Sequence, residues 1–311
     1  MRFIDHDDVF STVSPAEAVE KLRQTLAAGF DPATDPLRTK VPLPHGEMHL
    51  MPSAAGTAVG VKILGIQPAG STVDVPLVQG SYLLMGSETL TPHMLIDATA
   101  LTTLRTPAAS IAGVLDRLTA SNEPLDVVIF GTGAQGLGHA ATLESVLEGV
   151  REPRITFISR TEPTEPADLA YPWAASGSAA AQDALVRAGL VITATTSPEP
   201  IVTGAELRED ATVLAVGAHT ADTRELAADV FTGAQVIVED PTVAYREGGD
   251  VVLATEEGTV RREDLITMAQ VVRGEVALDP DRRVVFKTVG MPWQDLATAQ
   301  AVAQAAENPL E

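Results

Sequence analysis

The chain has 311 residues, 45% of them hydrophobic and 20% charged, with a formal net charge of −21; this supports two lobes with buried cores and excludes intrinsic disorder. The negative charge argues against nucleic acid or an anionic membrane surface, both of which need a basic patch, and points to a small-molecule partner. The chain has no cysteine, which excludes disulfides, thiolate nucleophiles and cysteine metal sites; without a signal-peptide core or an apolar run of bilayer length, the expected location is cytoplasmic.

Ser14-Pro15-Ala16-Glu17 predicts a helix start with a hydroxyl cap, proline at the first position and a capping box. Val19, Leu22 and Leu26 supply its buried stripe to about Ala28. From Pro36 to Gly86 short apolar runs broken by Pro and Gly, such as residues 59–66 and 81–85, predict a mostly antiparallel sheet. Thr106-Pro107 predicts the start of a second helix carrying Ile111, Val114, Leu115 and Leu118, and the polar stretch at 119–124 a domain boundary. Strand runs at 126–130, 155–159, 190–193, 212–216 and 234–238 then alternate with helical segments, the pattern of parallel strands joined by right-handed crossovers. A last strand is expected at 284–290, and an alanine-rich helix at 294–306 that packs back on the first lobe.

The strand at 126–130 runs into Gly131-Thr132-Gly133-Ala134-Gln135-Gly136, followed by helix-compatible sequence to about Leu147. Gly131 permits the tight turn, Gly133 lets amides approach a pyrophosphate, and Gly136 lets the helix pack closely on the strand. The expected fold class is therefore α/β, with a Rossmann dinucleotide-binding domain over 121–289 and an α+β domain over 1–120 to which 290–311 returns. The second strand ends in Ser159-Arg160-Thr161, with no carboxylate for a ribose 2′-hydroxyl; arginine flanked by hydroxyls suits a 2′-phosphate and predicts NADPH over NADH. Residues 193–197, with Thr195, and 215–219, with Val216 and Gly217, follow apolar strands and should face the nicotinamide.

Lys62 is the only lysine or arginine between Val41 and Leu104 and lies in an apolar strand. Such a charge needs a partner, either a substrate carboxylate or imine in the cleft or a buried acid. Arg105 precedes the helix expected at Thr106-Pro107, so its guanidinium and that helix's free amides can converge on one anion. Arg38 is either a third member of such a clamp or a solvated loop residue. His6, His45 and His93 show no metal-ligand spacing, and no metal is expected.

These residues resemble the ornithine cyclodeaminase/mu-crystallin family over nearly the whole chain. The resemblance rests on Arg38 and Met51-Pro52, Gly60-Val61-Lys62, residues 101–106, the 131–135 loop, Val216-Gly217-Ala218, Arg224-Glu225-Leu226, Gly248-Gly249-Asp250 and Lys287-Thr288-Val289-Gly290. It implies a homodimer made through the sheet domain, and a substrate carboxylate bound by Arg38, Lys62 and Arg105, with His49 and Met51 also facing the substrate. Cyclodeaminases of the family carry one acid where this chain has His49 and another in the loop that here reads Gly217-Ala218-His219-Thr220. Without those carboxylates the expected activity is NADPH-dependent reduction of a small cyclic 2-imino acid, such as pyrroline-2-carboxylate or piperideine-2-carboxylate, with Lys62 or His219 relaying the proton. The alternatives are an NAD-dependent ornithine cyclodeaminase or amino acid dehydrogenase, and a non-catalytic, crystallin-like binding protein.

Overall fold

The computed structural model describes residues 1–68, 76–163 and 169–306. Residues 69–75, inside the stretch expected to form strands, and 307–311, at the end of the returning segment, lie outside the described residues. Contacts divide the chain into two units, Met1–Ala109 with Gly290–Glu311, and Ser110–Val289.

The first unit holds a six-stranded sheet in the order β1-β6-β5-β4-β3-β2. Its strands are β1 (Arg2–Ile4), β2 (Thr39–Leu43), β3 (Gly46–Ala55), β4 (Ala58–Ile66), β5 (Val78–Gly86) and β6 (Pro92–Asp97). Only the β1 and β6 pair is parallel. Strand alternation sends Ala58, Gly60, Lys62 and Leu64 of β4 to the buried face and Val59, Val61 and Ile63 to the other. Helices α1 (His6–Thr12) and α2 (Pro15–Ala27) lie between β1 and β2 in the chain, α2 opening on the expected Ser14 and Glu17 capping box. The last helix, α10 (Pro292–Ala305), packs on β3, β4 and β5 and against α2, as the alanine-rich segment predicts.

Helix α3 spans Ala98–Ala112, which corrects the start expected at Thr106-Pro107. Asp97 Oδ1 accepts the Ala100 amide at 2.7 Å and opens the helix two turns earlier. Pro107 then lies inside it, at a cost of roughly 3 kcal/mol for a proline in a helix interior. Burial of Leu101, Leu104, Ala108 and Ile111 along one face offsets that cost, each large apolar side chain contributing about 1.5–3 kcal/mol.

The second unit is an eight-stranded sheet in the order β13-β12-β14-β11-β10-β7-β8-β9, parallel throughout. Its strands are β7 (Leu125–Phe130), β8 (Pro153–Ser159), β9 (Trp173–Ala175), β10 (Leu190–Thr193), β11 (Thr212–Ala215), β12 (Gln235–Val238), β13 (Ile266–Thr267) and β14 (Val284–Lys287). Helices α4 (Leu115–Leu118), α5 (Ala134–Leu147), α6 (Ala179–Arg187), α7 (Pro241–Glu247), α8 (Gly249–Glu256) and α9 (Met268–Val272) complete it. Every residue of β10, β11 and β14 is buried, as in a parallel sheet covered on both faces. Strand β7 has β8 on one side and β10 on the other, so the chain reverses its direction of growth there and opens a crevice at the strands' carboxyl ends.

The division between units falls inside α3, ahead of the polar stretch at 119–124 where the sequence suggests a boundary. Side chains after Ala109 explain this. Ser110 Oγ lies 2.8 Å from His139 Nε2 of α5. At Gly113 a Cβ would stand 2.4 Å from the Phe286 ring of β14. The Arg117 guanidinium donates to Thr212 Oγ1 and to the Asp210, Asp279, Pro280 and Arg282 carbonyls.

Candidate active site

In the first unit, the three cations singled out in the sequence meet at the first turn of α10. Arg38 Nη2 donates to the Gly290 carbonyl at 2.6 Å. Arg105 donates through Nε to Asp295 Oδ1 at 3.2 Å and through Nη1 to Gln294 Oε1 at 3.1 Å. Lys62 Nζ lies 2.9 Å from Asp295 Oδ1, 2.8 Å from Oδ2 and 3.3 Å from Thr102 Oγ1. Gly290 makes the meeting possible: its φ is 79°, and a Cβ there would stand 2.5 Å from Arg105 Nη1, so the guanidinium packs on bare backbone. Asp35 Oδ2 accepts the Trp293 amide at 2.7 Å and holds the start of α10 in place.

One expectation is borne out and one corrected here. Lys62 has a buried acid partner, Asp295, as one of its two readings holds, and it stands beside the two arginines. Arg105 does not precede a helix; it lies in the middle of α3, and the helix start beside it is that of α10, which supplies Gln294 and Asp295.

The cationic side chains gather round Asp295, and the surroundings are dry: Lys62 is 1% exposed, Arg105 7% and Asp295 0%. Burial, followed by the charge on Arg105, pushes the Lys62 ammonium down to about 7 while Asp295 holds it up. Burial also raises the Asp35 carboxyl to about 6 and the Tyr82 hydroxyl above its usual range.

Met51 is the cross-strand neighbour of Lys62 and is buried beside it. His49, two residues along β3, shares that face. Its Nε2 lies 2.9 Å from Glu47 Oε2, and this hydrogen bond holds the Glu47 carboxyl below its ordinary value. Glu47 thus supplies a carboxylate beside His49, where the sequence reading finds none.

In the second unit, a cleft of about 380 Å³ lies at the carboxyl ends of β7, β8 and β10, lined by Gly131, Thr132 and Gly133, by Ser159, Arg160 and Thr161, and by Thr195. Gly131 has φ +101°, and a Cβ on it would stand 2.5 Å from the Ala194 carbonyl; one on Gly136 would stand 2.0 Å from the Gly131 carbonyl; one on Gly133 would meet nothing within 4 Å. The first and third glycines are required by packing, and the second keeps open the space at the start of α5. Gly133 caps α5 without a side-chain bond, so the first turn, with Ala134 and Gln135, keeps its amides for an anion. The cradle fits a dinucleotide pyrophosphate.

Ser159 Oγ donates to the Thr161 carbonyl at 2.7 Å and accepts from Trp173 Nε1 at 2.9 Å, which fixes the turn carrying the exposed Arg160. Ser176 joins this wall of the cleft, a contributor absent from the sequence reading.

The next two loops hang on one buried acid. Glu225 accepts from the Thr195 amide and hydroxyl at 2.7 Å, from the Thr193 hydroxyl at 3.0 Å and from the Gly217 amide at 2.6 Å. Asp250 in turn accepts the Glu225 and Leu226 amides at 2.8 and 2.9 Å and pairs with Lys287 at 2.9 Å. Val216 donates its amide to the Thr193 carbonyl at 2.9 Å. His219, at the tip of the loop, is exposed, with Nδ1 3.0 Å from the Gly217 carbonyl. Val216, Gly217 and His219 thus belong to a loop beside the cleft and do not line it.

The profile of the ornithine cyclodeaminase/mu-crystallin family matches residues 7–309. The chain belongs to that family. It is 30% identical over 288 residues to Delta(1)-pyrroline-2-carboxylate reductase 2 of Burkholderia ambifaria, covering 87% of this chain and 84% of that one. Ketimine reductase mu-crystallin of Mus musculus is 28% identical over 272 residues, covering 86% and 83%. The structure of Thermococcus litoralis Delta(1)-pyrroline-2-carboxylate reductase in complex with NADH and L-proline superposes with a TM-score of 0.82 at 24% identity, covering 99% of this chain and 98% of that one. The likeness in structure shows that this family member shares the fold.

The glycines of the cradle should respond oppositely to alanine. Gly136→Ala should destabilise the protein by about 2 kcal/mol or more, because the added methyl meets backbone. Gly133→Ala should leave the melting temperature unchanged and weaken dinucleotide binding at least about tenfold. Thermal melts and a fluorescence titration with NAD(P)H separate the two, and equal effects on melting would contradict this geometry.

Proposed function

We propose that this family member is an NAD(P)H-dependent oxidoreductase that reduces the C=N bond of a small cyclic 2-imino acid to the cyclic amino acid. The observation that carries the reading is the convergence of Arg38, Lys62 and Arg105 on one point of the first unit, in a chain of net charge −21. Cations so placed reverse the local potential for a single carboxylate. The relatives named for pyrroline-2-carboxylate and ketimine reduction support the same class of substrate.

A reduced nicotinamide, when bound, supplies the hydride. The chain's own residues bind and orient. The arginines grip the carboxylate and, with Lys62, fix the position of the adjacent C=N carbon, so positioning supplies much of the catalysis. The protonated imine is the electrophile, and Lys62, poised near neutrality, is the group that holds a proton beside it. His219, exposed and bonded within its own loop, is the weaker candidate for that role. The His49 and Glu47 pair faces the same side of the sheet as Lys62 and bounds the distal part of the substrate.

NADPH is the proposed cofactor, on the strength of Arg160 between two hydroxyl residues in the wall of the cleft. The proposed assembly is a homodimer through the outer face of the first unit's sheet, where Val61, Leu83 and Leu95 are only half-buried and Ile63 is 39% exposed. An introduced Val61→Asp should convert the dimer to a monomer by light scattering; an unchanged mass, or a monomeric parent, would rule out this interface.

Purified protein should oxidise NADPH in the presence of pyrroline-2-carboxylate or piperideine-2-carboxylate. Arg160→Ala should raise the KM for NADPH at least about tenfold and leave that for NADH within about twofold. No turnover with any cyclic or linear 2-imino acid would remove the reading, and equal effects on both cofactors would remove the 2′-phosphate assignment.

A further inference from the structure

We propose that Asp295 is a positioning residue that locks Lys62 and Arg105 into a single carboxylate-binding pair. The proposal rests on the imino-acid reading above. It comes from a feature that reading does not use: one fully buried carboxylate shared between two cations contributed by different elements, Lys62 from β4 and Arg105 from α3.

A counter-ion with no role beyond stability needs only one partner. Asp295 instead spends Oδ1 on both Lys62 Nζ and Arg105 Nε, and Gln294, its neighbour on α10, holds Arg105 Nη1. The guanidinium is thereby fixed through two of its three nitrogens. Lys62 has three donors and turns them to the two Asp295 oxygens and to Thr102, which orients the ammonium. Both cations therefore stay only partly compensated while their directions are set. Their anchor is itself anchored, since Asp35 binds the Trp293 amide two residues before Asp295.

The groups facing Lys62 can be taken element by element. From α3 come Arg105 and Thr102, from α10 Asp295, from the segment before β2 Arg38, from β5 Tyr82 and from β3 Met51. Asp35 acts on Asp295 and Tyr82. Burial and the two arginines drive the ammonium toward losing its proton, and Asp295 alone opposes them. The cationic Lys62 is present below about 7 and is lost as the pH rises through that value, so the affinity for a carboxylate should fall over the same window. Without Asp295 the fall should begin at lower pH.

The chain has four lysines, Lys21, Lys40, Lys62 and Lys287, so their side-chain ε-carbons can be followed by NMR after selective 13C labelling and assigned with Lys62→Met. In Asp295→Asn the titration midpoint of Lys62 should fall by about one pH unit or more. Its KM for the 2-imino acid at neutral pH should rise at least about tenfold, with kcat falling by no more than the lost fraction of protonated Lys62 accounts for. Asp295→Glu keeps the charge and moves the carboxylate; it should hold the lysine midpoint within about half a unit and still raise KM. An unchanged midpoint in Asp295→Asn overturns the proposal, and so does a shifted midpoint with unchanged KM, which would reduce Asp295 to a stabilising counter-ion. If Asp295→Asn does not fold, the KM of Asp295→Glu decides, an unchanged value overturning the proposal. Failure of the wild-type protein to turn over any 2-imino acid, with the lysine shift intact, would sink the imino-acid reading and leave the pairing of Asp295 with Lys62 standing.

Discussion

A lysine and an arginine held almost without water have to be paid for, and the sharing of Asp295 between Lys62 and Arg105 is what allows the first unit to keep them. Removing one partner from such a buried group costs about 3–5 kcal/mol, because an uncompensated charge is left in a dry site. That constraint explains much of the surrounding architecture: why the chain returns after β14 to lay α10 on the buried face of the sheet, why Asp35 caps that helix, and why Gly290 at its threshold has no side chain.

The second unit solves a related problem with the same device. Glu225, fully buried, gathers amides and hydroxyls from the loops after β10 and β11 into one hydrogen-bonded knot. Charge-assisted bonds of this kind are the stronger ones, and a fully satisfied network is also a rigid one. In each unit a carboxylate with no access to solvent sets the direction of the polar groups gathered round it. Preorganisation of that sort suits an enzyme whose contribution is to place an electrophilic carbon and a hydride donor, with little covalent chemistry of its own.

The legible parts of the sequence were those with a fixed spacing. The glycine cradle, the alternation of strands from 125 to 238 and the capping box at Ser14 each encode a local geometry, and each is present in the structure. Thr106-Pro107 is a strong local signal for a helix start, while the real start depends on Asp97 and on apolar packing distributed along α3. Asp295 is legible on the same ground as Lys62, since it is the only charged residue from 288 to 306 and carries the same signal with the opposite sign. Glu47 was recoverable too, since residues two apart on a strand share a face and it stands two before His49. Glu225 and Asp250 left no periodic trace; their partners are brought to them by the fold.

The claim on which the account depends is that the clustered cations recognise a carboxylate. The most direct measurement compares kcat/KM for a cyclic 2-imino acid with that for its carboxamide, which has the same ring and the same C=N bond and lacks only the charge. The account predicts a loss of roughly a thousandfold or more for the amide, since cations that Asp295 compensates only in part then meet a neutral group. Comparable turnover of the two compounds would contradict it.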